Sequence, residues 1–155
     1  MVKRKKWLLI IIALLVLIQF IRPARNYKSV VAGNTLDKIT PVPDSVHELL
    51  KHACFDCHSN NTVYPWYANV QPVGWWLANH IKEGKEELNF DEFARYTSKR
   101  QIKKLDEIKR TVHERSMPLS SYTWIHTNAR LTTAERDLIS GWAAKVKDSL
   151  SAVSK

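Results

Sequence analysis

The sequence predicts an all-α protein in which a small domain of packed helices follows an apolar N-terminal segment. Several stretches repeat apolar residues at spacings of three and four, as amphipathic helices do. No stretch alternates apolar and polar residues between turn signals, so no β-strand is expected. The length of 155 residues fits one domain with an N-terminal extension.

Four helices of the domain are predicted from this spacing and from capping signals. The first begins at Ser45, where Glu48 completes a capping box, and it ends near Asn60. The second opens at Pro72, because proline is favoured in the first helical turn, and it runs to about Gly84. The first helix has an apolar face formed by Val46, Leu49, Leu50, Ala53 and Cys57.

The third helix begins at Ser98, with Gln101 completing a capping box, and it must end before Pro118. The last helix begins after Thr132, which caps it together with Glu135. The apolar face of the third helix is Ile102, Leu105, Ile108 and Val112, and that of the last is Leu138, Ile139, Trp142 and Val146. Five tryptophans are expected in the core of the domain: Trp66, Trp75, Trp76, Trp124 and Trp142.

The N-terminal apolar run, from Trp7 to Ile21, is expected to anchor the chain in a membrane. Its length is about 15 residues, which is short of the roughly 20 that cross a bilayer. Flanking lysines and arginines extend it by reaching to the interface, so a transmembrane signal anchor is predicted over residues 7–24. A cleaved signal peptide is the alternative, although no suitable cleavage site of small residues follows the run closely.

The distribution of charge indicates a membrane rather than a nucleic acid as the partner of the chain. The net charge is +9, but seven of the 24 basic residues precede the first acidic residue, Asp37, and flank the apolar run. The basic tail, residues 1–6, holds the denser cluster, which predicts a cytoplasmic tail and an exported domain. Residues 25–43 are expected to form a linker, and residues 44–150 the folded domain.

The residues that indicate chemistry are Cys54-Phe55-Asp56-Cys57-His58, the C-x-x-C-H pattern to which a c-type haem is attached. Two thiols three residues apart at a helix end can each bond one vinyl group of the haem, and the adjacent histidine becomes the proximal ligand of the iron. A thioredoxin-like thiol pair normally follows a strand, and a structural zinc site needs four ligands. Both alternatives therefore fit this sequence less well.

The distal ligand of the iron is predicted to be Met117, which lies in a helix-breaking Ser-Met-Pro loop. A thioether opposite a histidine raises the reduction potential and suits electron transfer. Three histidines are alternative ligands, His80, His113 and His126, and an open or water-bound site is a further alternative. Met117 as a filler of a core gap is the competing structural interpretation.

The order of these features resembles class I cytochrome c, with a helix ending in C-x-x-C-H, a Met-Pro loop and a C-terminal amphipathic helix. A closer resemblance is to the bacterial haem-binding domain family, a cytochrome-c-like group of small exported proteins. It rests on residues 54–62 (CFDCHSNNT), 64–67 (YPWY) and 72–76 (PVGWW), and it spans about residues 45–144. The resemblance implies haem binding on a cytochrome-c-like fold, in which the first and last helices pack together.

One-electron transfer at the outer face of the bacterial cytoplasmic membrane is the expected function, with one covalent haem c in a domain that faces the periplasm. Electron transfer needs a haem edge near the surface and a redox protein partner, which the sequence does not identify. A peroxidase-like haem enzyme and a haem-based sensor are the alternatives, and both need an open distal site. An electron carrier fits the single haem motif and Met117 better than a catalyst does, so no catalytic residue is assigned.

Overall fold

The structure, a computed structural model that describes residues 2–153, is all-helical as the sequence predicts. In these residues, β-type pairing is limited to one isolated bridge between Tyr27 and Asn61. The described chain contains seven α-helices: α1 (Val2–Ile18), α2 (Asp44–Ala53), α3 (Phe55–His58), α4 (Val73–Glu87), α5 (Ser98–His113), α6 (Ser120–Ile125) and α7 (Thr133–Val153). Short 3₁₀ segments lie between them, at Leu36–Lys38, Trp66–Asn69, Phe90–Arg95 and Thr127–Ala129.

The first helix of the domain, α2, begins and ends earlier than predicted. Pro43 occupies its N-cap position with φ of −57°, and no side chain caps the helix, so the capping box predicted at Ser45 is wrong. Proline serves here because its φ is fixed near the helical value and it has no N–H to satisfy. Cys54, with φ of −128°, interrupts the helix, and the single turn of α3 then ends at His58 rather than near Asn60.

The start of α5 is set one residue earlier than the predicted capping box. Thr97 is the N-cap residue, and its Oγ1 accepts a hydrogen bond from the N–H of Arg100 at 3.3 Å. Gln101 is buried and donates to the carbonyl of Phe93, so it does not complete a box with Ser98.

The capping box of α7 is confirmed in both directions. The N–H of Thr132 donates to Oε2 of Glu135 at 2.7 Å, and the N–H of Glu135 donates to Oγ1 of Thr132 at 3.3 Å. The helix then continues to Val153, slightly beyond the predicted end of the domain at residue 150.

The core forms where α7 packs along α5, with α2 and the Phe90–Arg95 segment closing it. α7 also contacts α2, as the resemblance to cytochrome c implies, but α5 is its main partner. Of the eight residues on the two predicted apolar faces, Ile102 is only half-buried and Leu138 is exposed. The buried members of this core include Val46, Leu50, Phe90, Phe93, Leu105, Ile108, Val112, Ile139, Trp142 and Val146.

The N-terminal helix begins within the predicted basic tail and ends before the predicted end of the anchor. α1 starts at Val2 and stops at Ile18, whereas the anchor was expected to extend to residue 24. Met1, the first residue of the expected tail, lies outside the described residues. Within residues 2–153, no helix meets the combined length and hydropathy needed to cross a membrane. The side chains from Arg4 to Leu17 are nevertheless exposed, and most of them are apolar.

The segment expected as a linker between the membrane anchor and the domain, residues 25–43, packs on the domain. Leu36 is a buried member of the core. The side chain of Asn26 donates to the carbonyl of Ser59 and to Oγ1 of Thr62, which fixes the start of this segment beside the end of α3. The folded unit therefore begins well before Asp44.

The tryptophans do not form one buried group. Trp142 is buried in the core, as expected, and Trp75 is half-buried. The expectation is wrong for the other three, because Trp66 and Trp124 are 78% and 79% exposed and Trp76 is 45% exposed. The structure thus presents three large aromatic side chains to its surroundings.

Candidate functional site

A cavity of about 580 Å³ opens between α3, α4, α5 and the loop that follows α5. Cys54, Cys57, His58 and Met117, the four residues predicted to bind haem, all line it. The volume lies within the range of pockets that bind small molecules and cofactors. Much of the wall is apolar. The aliphatic and aromatic side chains in it are Leu50, Ala53, Leu88, Phe90, Ile108, Val112 and Leu119.

Gly84 allows α3 to lie directly against α4 at the floor of this site. A Cβ atom on Gly84 would lie 2.7 Å from the carbonyl oxygen of Cys57 and 3.2 Å from its Cβ. The first contact is with backbone, which cannot rotate away, so the close approach requires glycine. From the sequence, Gly84 was expected near the end of this helix and the contact was missed; the helix continues to Glu87, and a glycine inside a helical pattern is the signal that could have indicated it.

His58 is oriented by two backbone carbonyls of α4 and its C-terminal end. Its Nδ1 lies 2.8 Å from the oxygen of Gly84 and 3.0 Å from that of Leu88, so Nδ1 carries the proton and donates to both. No group in the described part of the chain hydrogen-bonds to Nε2. Burial lowers the pKa of His58, although these two hydrogen bonds oppose the shift. The ring is therefore neutral with Nε2 available, the state in which imidazole binds a metal.

The two cysteines are poorly suited to thiol redox chemistry. Both are free and partly buried. Burial, with a smaller effect of Cys57, raises the pKa of Cys54 to about 12, and burial, with a smaller effect of Asp56, raises that of Cys57 to about 11. Reactive redox cysteines have lowered pKa values, because the thiolate is the nucleophile. The thioredoxin-like alternative is accordingly disfavoured.

Met117 reaches the cavity from the loop that follows α5, and the loop is held on both sides. Its N–H donates to the carbonyl of Thr111 at 3.1 Å. Its own carbonyl accepts a hydrogen bond from Nη1 of Arg136 at 2.7 Å, and the same nitrogen donates to the carbonyl of Val112 at 3.0 Å. Arg136 of α7 thus ties the methionine loop to the end of α5.

The structure separates the three alternative histidine ligands. His80 lines the cavity, and its Nδ1 bonds to the carbonyl of Trp76 at 2.9 Å, which leaves Nε2 without a partner among the described residues. His126 lies outside the lining, with Nε2 2.7 Å from the hydroxyl of Tyr67. His113 is exposed at the end of α5 and is also outside the lining. Met117 and His80 remain as candidates.

Asp56, between the two cysteines, is bound by a residue that sequence reasoning missed. The hydroxyl of Tyr122 in α6 donates to Oδ2 of Asp56 at 2.7 Å, and the N–H of Val63 donates to Oδ1 at 3.0 Å. Burial and this carboxylate raise the pKa of Tyr122, so the phenol stays protonated and remains a donor. Tyr122 also lines the cavity, so it joins the helix after the Met117 loop to the cysteine motif.

Lys104 forms a partly buried ion-pair cluster in the wall of the cavity. Its side chain is 8% exposed, and Nζ donates to Oε2 of Glu107 at 2.7 Å and to Oε2 of Glu87 at 3.0 Å. Burial lowers the pKa of Lys104, but the two hydrogen-bonded carboxylates outweigh it and raise the pKa overall. The cluster joins α4 to α5 across the cavity, and no pattern in the sequence indicated it.

These residues fit a covalently attached haem. Two thiols and an imidazole with a free Nε2 belong to one contiguous motif, and a thioether lies in the wall of the same largely apolar cavity. A ligating histidine usually donates its other ring N–H to an acceptor that orients the imidazole, and the carbonyls of Gly84 and Leu88 are such acceptors for His58.

Comparison with known protein families also indicates haem binding. A family model described as a haem-binding domain matches residues 13–145, which is well over half of the chain. No curated protein and no solved structure matches the chain significantly.

Proposed function

This chain belongs to the haem-binding domain family, and we propose that it carries one c-type haem, bound covalently through Cys54 and Cys57. His58 supplies the proximal ligand of the iron and Met117 the distal ligand. The observation that carries the proposal is the lining of a single cavity by all four residues, although Met117 lies far from the motif in sequence.

Electron transfer is the reaction that this ligand set serves best. A haem held by these residues would supply one-electron chemistry. The chain's own residues orient and enclose that centre: the carbonyls of Gly84 and Leu88 fix the imidazole, and Arg136 fixes the methionine loop. The apolar part of the cavity wall would limit the access of water to that centre.

We also propose that α1 holds the domain at the outer face of the bacterial cytoplasmic membrane, where a redox protein serves as electron partner. A helix that is apolar on every side is suited to a protein core or to lipid, and α1 has exposed apolar residues along its length. Its apolar part, residues 7–18, has 12 residues and is about 18 Å long at 1.5 Å per residue, shorter than a hydrocarbon core of about 30 Å. In this proposal the apolar span continues past the helix to Ile21, and the basic residues before Trp7 and after Ile21 reach to the interfaces.

A peroxidase-like enzyme or a haem-based sensor with an open distal site is the second candidate. It is favoured by two polar side chains in the cavity lining, His80 and Arg110, which a distal reaction site would use. In that case Met117 would only fill space in the wall.

Replacement of Met117 by alanine distinguishes the two candidates. In the electron carrier, Met117→Ala removes the weak far-red band of methionine–iron ligation and lowers the potential, by on the order of 100 mV. Optical redox titration of the haem-loaded protein measures both. His80→Ala is the matched control in the same cavity and leaves the band in place. Absence of this band from the wild type, with a potential that Met117→Ala leaves unchanged, would instead support the open-site candidate.

A further inference from the structure

The end of α1 is fixed to the haem domain by three hydrogen bonds. The side chain of Gln19 forms two of them with the backbone of Gln71, accepting from its N–H at 2.9 Å and donating to its carbonyl at 3.1 Å. The indole N–H of Trp75 donates to the carbonyl of Ile21 at 2.7 Å. A flexible tether would have no such bonds, so the orientation of α1 relative to α4 is defined.

An exposed apolar surface surrounds this junction. Val70 and Val73 flank Gln71 and are 45% and 40% exposed, and Trp76 lies one turn further along α4 and is 45% exposed. Phe20, immediately after Gln19, is 80% exposed. We call Phe20, Val70, Val73 and Trp76 the junction face. An exposed apolar patch of this kind marks a contact with another apolar phase.

A basic residue lies beside the junction face. The side chain of Arg25 donates a hydrogen bond to the side chain of Asn69, the residue directly before Val70. Arg25 also lines a second, open cavity of about 370 Å³, together with Lys28, Lys82 and Lys85 and with two acidic residues, Glu86 and Glu92. The positive charge of Arg25 complements anionic lipid headgroups.

We propose that the haem domain lies directly on the lipid surface through the junction face, in one fixed orientation. The inference rests on the proposed membrane anchoring of α1 and extends it from the helix to the domain. Because α1 is continuous with the junction face through Gln19, insertion of α1 brings that face to the bilayer interface. Trp76 then occupies the interfacial zone that tryptophan favours, and Arg25 faces the headgroups.

Photocrosslinking of the full haem-loaded chain tests this orientation. The chain is reconstituted in vesicles of phosphatidylethanolamine and phosphatidylglycerol, with p-benzoylphenylalanine replacing either Val73 or Trp76. Replacement of Leu138 on α7, which is 44% exposed, is the control matched in exposure, and replacement of Leu14 in α1 reports insertion of the helix. Mass spectrometry measures lipid adducts, and the haem spectrum verifies that each variant is folded.

The proposal expects lipid adducts at positions 73 and 76 in at least about fivefold greater yield than at position 138, since an interfacial apolar face is buried among acyl chains. Adducts at position 14 with only the control level at 73 and 76 would overturn the fixed orientation and leave the anchor intact. Absence of adducts at all four positions would overturn the anchor and this inference together.

Discussion

The chemistry of single residues in the site depends on contacts that the surrounding helices impose. His58 is neutral because burial lowers its pKa. Its Nε2 is left available because the Nδ1–H group donates hydrogen bonds to two backbone carbonyls. One of these carbonyls belongs to Gly84, whose missing side chain also admits Cys57. Gly84 therefore has two roles, one in packing and one in orienting the proximal ligand.

Gly84→Ala is expected to destabilise the haem-loaded protein by about 1–3 kcal/mol, because the added Cβ overlaps the backbone of Cys57. Denaturant unfolding measures the loss, and the haem spectrum reports the accompanying shift of His58. Gly141→Ala in α7 is the control, since nothing lies within 4 Å of the new Cβ, and it should gain up to about 1 kcal/mol from helix propensity. Equal effects of the two substitutions would contradict the packing role of Gly84.

Sequence reasoning identified the residues of the site that form a contiguous motif or are scarce. Cys54, Cys57 and His58 are adjacent, and Met117 is the only methionine besides Met1. All four line one cavity, and their roles in binding haem stay predictions. Tyr122 and Arg136 were missed because they act through hydrogen bonds to residues distant in sequence, one for Tyr122 and two for Arg136, which leave no local pattern in the chain.

At the scale of the helices, the end of α5 controls where Met117 lies. Arg115 has φ of 61°, in the left-handed region, and its N–H bonds to the carbonyl of Val112 while that of Ser116 bonds to Thr111. This pair of hydrogen bonds is the Schellman motif, which usually has glycine at the left-handed position. The helix end therefore carries backbone strain next to the proposed ligand.

Arg115→Gly is expected to stabilise the protein by about 1 kcal/mol, because glycine adopts a positive φ without a Cβ clash. Chemical denaturation measures the free energy of unfolding, with one m-value, the slope against denaturant concentration, fitted to all variants. Arg115→Ala is the control: it loses the same side-chain hydrogen bond to Thr133 but keeps a Cβ, so it should bring no gain. A gain of the same size in both variants would show that the backbone is unstrained.

The ion pairs of Lys104 with Glu87 and Glu107 join α4 to α5, and we expect the stability that they contribute to be lost at alkaline pH. The folded-state pKa of Lys104 is raised above its ordinary value of 10.5, so the folded protein binds this proton more tightly than the unfolded chain. The resulting stabilisation is complete below pH 10.5 and is lost as pH rises through the folded-state pKa.

Comparison of wild type with Lys104→Met over the alkaline range tests the linkage. Urea unfolding at increasing pH should show the wild type losing stability above pH 10.5 faster than the variant, which has no proton to release at this position. Parallel curves would mean that the ammonium group contributes nothing at this contact. Lys103→Met, at an exposed lysine paired only with Glu107, is the control and should follow the wild type closely.

The sequence predicted which long helices form more accurately than it predicted where they begin and end. Apolar spacing identified α2, α4, α5 and α7, and the reciprocal Thr132–Glu135 cap fixed the start of α7 correctly. The capping boxes at Ser45 and Ser98 were wrong because a neighbouring residue, Pro43 or Thr97, took the N-cap position. The prediction merged α3 with α2 and missed α6, since helices this short have too few residues to show a period.

For the molecule as a whole, the principal difference from expectation lies at the N-terminus. A free linker was predicted because residues 25–43 lack helical periodicity, yet Leu36 enters the core and Asn26 bonds to the end of the haem motif. Such packing depends on single residues meeting distant partners, which periodicity does not detect. Trp76 of the junction face contacts His80, with ring centroids 4.2 Å apart and ring planes tilted by 46°, so the cavity lies one helical turn from that face.

Covalent haem attachment is the central claim, and it is tested most directly on the full chain expressed together with a cytochrome c maturation system. The measurement is haem staining of a denaturing gel, compared with the Cys54→Ala/Cys57→Ala double variant. The account predicts haem that stays on the wild-type chain after denaturation and is absent from the double variant. Haem staining absent from the wild type, or equal in both proteins, would contradict attachment through these two cysteines.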